Sequence, residues 1–370
     1  MGGGQTQDCS YQKLYVRYEI SIRCQGFLHK EILLQPNDIA SERQANFRNV
    51  WSNVSSLRST NELPVYSIPK ISVGIIVHNE DKNILNLLQN VSGQKLRDFM
   101  IDEVIVVSSG SEDKTDEFVL RYMKKDNKVR LLVQNVAEGK ASGINEFLKI
   151  SRNEVVVVSS GDVIFDERTL QNLVSPIIGD ERIGLTSARP VPINDSRCFM
   201  GTVAEIHWRL HYACERHGET IAFRKSLMNR IPDGVSADEA YVEAAVRHRA
   251  FKTVRVSDSI VFNKGPDTVV EFLNQIRRHY SGHLFIKAHE SYLVSSMTPE
   301  GSVKIVKELL NYLRENPNKS SQIAAYMLLE GSGRILGVWD FCVRKRHYRI
   351  WHAAQTTKNL NSRDTSRSAG

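Results

Sequence analysis

The sequence has few cysteines, and none is spaced from another as in a metal or redox motif. Its five cysteines are scattered over 370 residues, their number is odd, and no C-x-x-C pair occurs. Such sparse usage favours a reduced, cytosolic chain over a secreted chain that is stabilised by disulfides.

Long hydrophobic runs are lacking as well. No stretch approaches the roughly 18 consecutive apolar residues of a membrane span. The first ten residues, MGGGQTQDCS, also lack the basic and then apolar order of a secretory signal peptide. From the sequence we therefore expect a soluble, cytoplasmic protein, or one that lies on the cytoplasmic face of a membrane.

Acidic residues are fewer than basic residues. The chain has 42 Asp and Glu residues against 49 Lys and Arg residues, which gives a formal net charge of +7. This balance suits anionic partners such as nucleotide diphosphates, nucleic acid or an acidic lipid surface. No motif interleaves basic and aromatic residues in the manner of nucleic-acid binding proteins, so nucleic acid is not an expected partner.

What the sequence does contain is a set of short apolar runs that end in polar residues. Val155–Val158 consists of four successive valines followed by the letters SSGD, and the runs Ile71–Val77 and Val104–Val107 follow the same pattern. Runs without polar alternation are typical of strands that are covered on both faces. Helical stretches between them predict the order βαβαβαβ, and hence a parallel sheet with right-handed crossovers.

Asp162 stands directly after the four-valine strand. In open α/β sheets, ligands lie beyond the carboxyl ends of the strands. An acid in that place holds Mg²⁺-like ions together with phosphate oxygens. The alternative is that Asp162 caps the helix that follows. Taken alone, the residue leaves both interpretations open.

The rest of the chain predicts further strands and helices and three parts. The expected strands are 183–188, 220–223 and 253–262, and the expected helices are 199–217, 237–248 and 268–289. A mostly helical tail follows, with a break at Asn316-Pro317-Asn318. We therefore expect an N-terminal extension of unclear fold (1–68), an α/β domain (69–290) and a helical tail with a disordered end (291–370).

Seven motifs occur in order at the predicted strand edges and helix starts. They are ISVGIIVHNE, VIVVSSGSEDKT, EGKASGIN, VVVVSSGDV, GETIAFRK, SADEAYVE and QIRRH. Each motif is weak alone. Together, from about Ile71 to Ile286, they resemble the family-2 glycosyltransferases of the GT-A fold. The resemblance implies a Rossmann-like, mostly parallel sheet with flanking helices. It also implies inverting transfer of a sugar from a nucleotide-diphosphate sugar to an acceptor hydroxyl.

The resemblance also implies a donor site and a metal. Asn79 and Glu80 would face the nucleotide's base and ribose, Lys140 would face the diphosphate, and Asp162 would hold Mg²⁺ or Mn²⁺. The alternatives are a helix cap for Asn79 and Glu80 and a solvated surface position for Lys140. The full donor-side set is Val77, Asn79, Glu80, Ser109, Lys140, Gly161 and Asp162.

On the acceptor side, the motif SADEA implies that Glu239 is the general base, with Asp238 as the second choice. Acids that merely begin a helix are the alternative. The QIRRH stretch supplies residues for the diphosphate or the acceptor, unless it is only a solvated basic helix. These residues are Gln275, Arg277, Arg278 and His279. The acceptor itself would be a glycan, a lipid-linked sugar or a small molecule.

Several residues depart from the family's pattern. Ser108 and Ser109 replace an acidic pair, Asp162 is the only acid of the metal motif, and His279 replaces a Trp, so we do not infer a processive polymerase. An alternative function is therefore a catalytically weak member that acts as a binding or assembly subunit in glycan synthesis. We interpret His207 and His211, on one helix face, as acceptor-side packing rather than a zinc site. The basic surface and apolar-striped tail suit attachment to an anionic leaflet.

Overall fold

The computed structural model describes residues 68–346, 348, 350, 354–358 and 360. The predicted N-terminal extension lies outside the described residues except for Ile68, and the predicted disordered end, residues 361–370, lies outside them as well. The division of the chain into three parts therefore stays a prediction. Everything below concerns the described residues.

Within this part, eight strands and nine helices follow one another along the chain. The strands are β1 (Lys70–Val77), β2 (Met100–Ser109), β3 (Val129–Gln134), β4 (Val155–Ser160), β5 (Val163–Phe165), β6 (Ile183–Pro192), β7 (Thr220–Arg224) and β8 (Lys252–Asn263). The helices are α1 (Ile84–Ser92), α2 (Thr115–Met123), α3 (Lys140–Ile150), α4 (Thr169–Gly179), α5 (Phe199–Ala213), α6 (Asp238–His248), α7 (Val269–Glu290), α8 (Pro299–Glu315) and α9 (Ser320–Trp339).

The strands form one mixed sheet in the order β3-β2-β1-β4-β7-β6-β8-β5. Strand β1 pairs in parallel with β2 and β4, and β2 pairs in parallel with β3. Strand β7 is antiparallel to both β4 and β6, whereas β6 and β8 are parallel. The predicted class, α/β with a mostly parallel sheet and flanking helices, is confirmed.

Helices cover both faces of the central strands, as the unbroken apolar runs predicted. Ile71, Val73 and Ile75 of β1 belong to the core on one face, and Ile76 belongs to the core on the other. At Gly74 helix α3 comes so close that an added Cβ would lie 2.7 Å from the ring of Phe147. Real side chains do not approach that closely, so this strand position requires glycine.

Three details differ from the sequence prediction. Strand β6 continues through Pro190 and Pro192, because these prolines lie beyond the residues that pair with β7 and face β8 on one side only. Helix α4 was not predicted, since Pro176 lies inside its apolar stripe. Helix α5 ends at Ala213 rather than near His217, because the chain reverses at Glu215 with φ 63°.

Candidate active site

The ends of three parallel strands meet at one edge of the sheet. In the β1–β2 pairing Val77 lies beside Ser108, and in the β1–β4 pairing Ile76 lies beside Ser160. The residues that follow β1, β2 and β4 are therefore brought together, although they are far apart in the sequence. They open into one cavity.

All but two of the predicted site residues line this cavity. Those that do are Val77, Glu80, Ser109, Lys140, Gly161, Asp162, Asp238, Glu239, Gln275, Arg278 and His279. The sequence therefore predicted which residues meet, whereas the role of each belongs to the proposals below.

Gly161 allows the loop after β4 to pass close to β1. A Cβ at this position would lie 2.7 Å from Val77 Cγ1 and 2.9 Å from Glu80 Cγ. The side chain of Asn83 holds the loop by donating to the carbonyls of Gly161 at 2.6 Å and Val163 at 3.1 Å. Asp162 is thus presented on a fixed loop at the cavity wall.

Lys140 bridges the two acids predicted as catalytic. Its Nζ lies 3.0 Å from Asp238 Oδ2 and forms a second ion pair with Glu239 Oε1. Helices α3 and α6 begin at Lys140 and Asp238, so two helix starts converge on this ion-pair cluster. The Glu239 side chain retains 19% exposure and that of Asp238 only 6%, so Glu239 is the acid more open to a ligand.

The pKa values of these three groups depend on one another. Burial works to lower the pKa of Lys140, but the two carboxylates outweigh it and raise that pKa. Burial and the neighbouring Glu239 raise the pKa of Asp238 to about 6. Burial works in the same direction on Glu239, yet Lys140 holds the pKa of Glu239 below its usual value. Lys140 thus keeps Glu239 ionised.

Glu219 was given no role from the sequence, although its motif GETIAFRK was recognised. It directly precedes β7, whose antiparallel pairing with β4 brings Glu219 to the loop that carries Asp162. Burial and the charge of Asp162 raise the pKa of Glu219 to about 8. Asn263, at the end of β8, donates to Glu219 Oε1 at 3.3 Å. The acid in this motif was the available signal, but only sheet topology shows where it lies.

Glu80 is paired by a lysine from the far end of the chain. Lys358 Nζ lies 3.2 Å from Glu80 Oε1 and also donates to the carbonyls of His78 and Asn79. Burial and the charge of Asp162 raise the pKa of Glu80 to about 8, against the opposing effect of Lys358. No sequence signal pointed to Lys358, because its partners lie about 280 positions away.

The two predicted residues outside the cavity are held by other contacts. Asn79, at φ 57°, accepts from the backbone N–H of Glu112 at 2.7 Å and lines a separate depression beside Lys358. The guanidinium of Arg277 pairs with the fully buried carboxylate of Asp340. Asp113 accepts a hydrogen bond from the N–H of Thr115, the first residue of α2, at 2.9 Å.

Two carboxylates and one amide at the cavity form the candidate metal site. No group of three or more His, Cys, Asp or Glu side chains in the described chain is arranged to hold a metal ion. The charge of Asp162 nevertheless helps to raise the pKa of Glu219, so the two carboxylates interact. Asn263 adds a buried Oδ1 that has no hydrogen-bond partner in the described structure. These three oxygen donors fit a hard divalent cation.

Comparison with known proteins identifies the family. The sequence profile described as Glycosyl transferase family 2 matches residues 72–254. Through this region the chain belongs to glycosyl transferase family 2. The predicted family is confirmed, and the predicted enzyme class, glycosyltransferase, is that of the family.

Curated relatives of the family match at low identity. A probable glycosyltransferase of Bacillus subtilis, YdaM, is 22% identical, with 59% of this chain and 56% of the relative covered. The poly-β-1,6-N-acetyl-D-glucosamine synthase of Staphylococcus epidermidis is 22% identical over 41% of this chain and 36% of its own length. The match thus spans about half, or less, of the length of these relatives.

A solved structure supports the fold. A mannosyltransferase from Pyrobaculum calidifontis, determined in complex with GDP-Man and Mn²⁺, superimposes with a TM-score of 0.55 at 19% identity. The superposition covers 83% of this chain and 97% of that one. The predicted GT-A fold is therefore confirmed.

Proposed function

We propose that this family member is an inverting glycosyltransferase that moves a sugar from a nucleotide-diphosphate sugar to an acceptor hydroxyl. The observation that carries the proposal is the ion-pair cluster of Lys140, Asp238 and Glu239, which lines the same cavity as Asp162. An inverting displacement needs a base for the acceptor and a separate site for the leaving diphosphate. In this cavity Glu239 would be the base, and Lys140 and Asp162 would face the diphosphate.

In the proposed reaction Glu239 is the base. Its carboxylate takes the proton of the acceptor hydroxyl while the hydroxyl oxygen bonds to the anomeric carbon. The bond from that carbon to the phosphate oxygen breaks, and the nucleotide diphosphate leaves with the electron pair. Attack from the face opposite the leaving group inverts the anomeric carbon.

Lys140 links donor binding to the strength of this base. Its ammonium now pairs with Glu239, which lowers the pKa of that carboxyl. A donor diphosphate would compete for the same ammonium through charge-assisted hydrogen bonds. Once Lys140 contacts the diphosphate, its positive charge would stabilise the Glu239 carboxylate less. The pKa of Glu239 would then rise, and Glu239 would become a stronger base.

Asp162, Glu219 and Asn263 would hold Mg²⁺ or Mn²⁺. The ion would neutralise negative charge on the leaving diphosphate. The fit rests on the raised pKa of Glu219 and on the unpartnered Oδ1 of Asn263, because both groups gain from a nearby cation. Mg²⁺-like ions commonly complete such small protein sets with phosphate oxygens and water.

The test begins with a thermal-shift screen of nucleotide sugars with and without Mn²⁺, since a binder stabilises the fold by mass action. With the donor found, Glu239→Gln is expected to lower turnover by at least about a hundredfold while donor binding persists. Asp162→Ala should abolish both turnover and the Mn²⁺-dependent shift. Turnover that survives both changes would refute the assigned mechanism.

A further inference from the structure

We infer that Arg216 binds an anionic group, phosphate in the first instance, that is carried by the acceptor. The inference rests on the proposed transfer reaction, because it takes the Glu239 side of the cavity as the acceptor side. It adds a chemical class of acceptor, which the transfer reaction alone does not specify.

Arg216 lies in the turn between α5 and β7. Its backbone N–H donates to the carbonyl of His211 at 3.2 Å, which fixes the turn. Its half-buried side chain lines the cavity together with Glu239, His211 and His283. The charge of Arg216 also contributes to lowering the pKa of Glu239, so the guanidinium acts within electrostatic reach of the proposed base.

The charge of Arg216 has no carboxylate to neutralise it among the described ion pairs. Its Nη2 instead lies 3.2 Å from Nε2 of His283. The acid next to it in the sequence, Glu215, pairs with Lys304 at 2.6 Å and Arg255 at 3.8 Å. A partly buried guanidinium beside a neutral ring is costly unless an anion joins it. Its planar set of donors matches a phosphate or carboxylate.

The two histidines next to Arg216, His211 and His283, add no charge to the site. Burial, together with the charge of Arg216, holds the pKa of His211 and His283 well below the usual value. Both rings are therefore neutral at pH 7. Because His283 Nε2 faces the guanidinium and accepts from it, its Nδ1 carries the proton. Neither of these two rings therefore adds a charge that would compete with an incoming anion for Arg216.

A second groove continues from this point. His211 and Arg216 line it too, and its remaining wall between α5, α8 and α9 is largely apolar. The apolar residues are Leu210, Ile305, Val306, Leu309 and Met327. The same groove also contains Glu330 and Arg334, which pair with each other at 2.8 Å. A phosphate at Arg216 would therefore be accommodated either on a soluble molecule or at the head of an apolar chain. Both kinds of acceptor carry a phosphate. The experiment below distinguishes the soluble molecule from the one with an apolar chain.

The experiment measures binding of hexyl phosphate, inorganic phosphate and neutral hexanol to the full chain by isothermal titration calorimetry. Arg216→Gln is expected to weaken hexyl phosphate binding about tenfold or more, since a charge-assisted contact is lost. Arg216→Lys should retain part of the affinity. The matched control is Arg121→Gln, which removes an exposed arginine of α2 that pairs with Glu117.

A further variant, Lys140→Gln, separates this site from the donor site. Retained binding in Lys140→Gln and lost binding in Arg216→Gln would support the inference. Tighter binding of hexyl phosphate than of inorganic phosphate would identify a chain-bearing source, and equal binding a soluble one. Equal affinities in the wild type and Arg216→Gln would overturn the inference, even if Arg216→Gln melts earlier. Binding lost only in Lys140→Gln would overturn it too, while leaving the proposed transfer intact.

Discussion

At the residue scale, Glu219 gives the chain a defined dependence on pH. Its pKa rises from 4.5 to about 8, so between these values the folded chain binds a proton that the unfolded chain does not. The free energy of unfolding must then fall as pH rises through this window. Glu80 shifts in the same direction, so the two residues together make the ligand-free chain less stable at pH 8 than at pH 5.

We predict that Glu219→Gln reduces this loss of stability by about 1 kcal/mol or more between pH 5 and pH 8. Urea unfolding at both pH values, in the presence of a chelator, measures it. Added Mn²⁺ should stabilise the wild type at pH 8 more than the variant, because the ion would replace the proton. The control is Glu117→Gln on exposed α2. An unchanged pH dependence in Glu219→Gln would show that Glu219 ionises normally.

Lys140 carries the second prediction at this scale. Lys140→Gln leaves two buried carboxylates side by side without their cation, and we expect it to destabilise the chain by about 3 kcal/mol. Adding Asp238→Asn removes the repulsion, so the double variant should be more stable than the sum of the single changes predicts. Urea unfolding of the four proteins measures this coupling. Additive effects would mean that the three groups act independently.

The cavity residues that the sequence revealed lie at strand ends, at helix starts and in the recognised motifs. Asp162 and Lys140 each follow an apolar run or a glycine turn, which local patterns detect. Arg216 and Lys358 have no such marker, because they reach the cavity from a helix-to-strand turn and from a distant tail. Asn79 was correctly placed at the end of β1, but its backbone conformation turns it to Glu112 and Ser111 instead of the cavity.

At the element scale, the parallel half of the sheet was predictable and the antiparallel half was not. Strands β1 to β4 alternate with helices, and the βαβ rule fixes both their direction and their handedness. Strand β7 is inserted between β4 and β6 through long-range pairing that leaves no local pattern. This insertion brings Glu219 to Asp162. The metal-binding candidates therefore depend on the part of the topology that sequence reasoning could not supply.

The segment at 354–358 packs against the end of β1 beside the cavity. Lys358 contacts two carbonyls at the end of β1 and pairs with Glu80. We predict that above pH 8, where Glu80 is ionised, Lys358→Ala destabilises the chain by about 3 kcal/mol, because it leaves the Glu80 carboxylate buried without its cation. Glu80→Gln in the same chain should recover part of that loss. Urea unfolding provides the measurement.

The matched control for this element is Lys307→Ala, which removes an exposed lysine of α8 and should change stability by less than about 0.5 kcal/mol. Equal stability of Lys358→Ala and Lys307→Ala would show that the segment does not hold the donor side of the cavity.

At the scale of the whole molecule, net charge and exposed apolar surface act together. The chain carries a net charge of +7. Within the described residues, no helix is both long enough and apolar enough to cross a lipid bilayer. Helix α9 nevertheless exposes Leu328 at 72% and Ile335 at 71%, and α8 exposes Val306 at 55%. Apolar side chains on a basic protein suit the surface of an anionic membrane.

We therefore predict that the chain floats with liposomes containing anionic lipid and not with neutral ones. Leu328→Glu combined with Ile335→Glu should reduce the bound fraction severalfold, because it removes apolar contact and adds repulsion. Leu120→Glu, which changes a leucine of α2 that is 53% exposed, is the control. Raising the salt from 0.1 M to 0.5 M should also release the protein if attraction between charges contributes. Flotation that depends neither on the lipid charge nor on the two α9 substitutions would refute attachment through this surface.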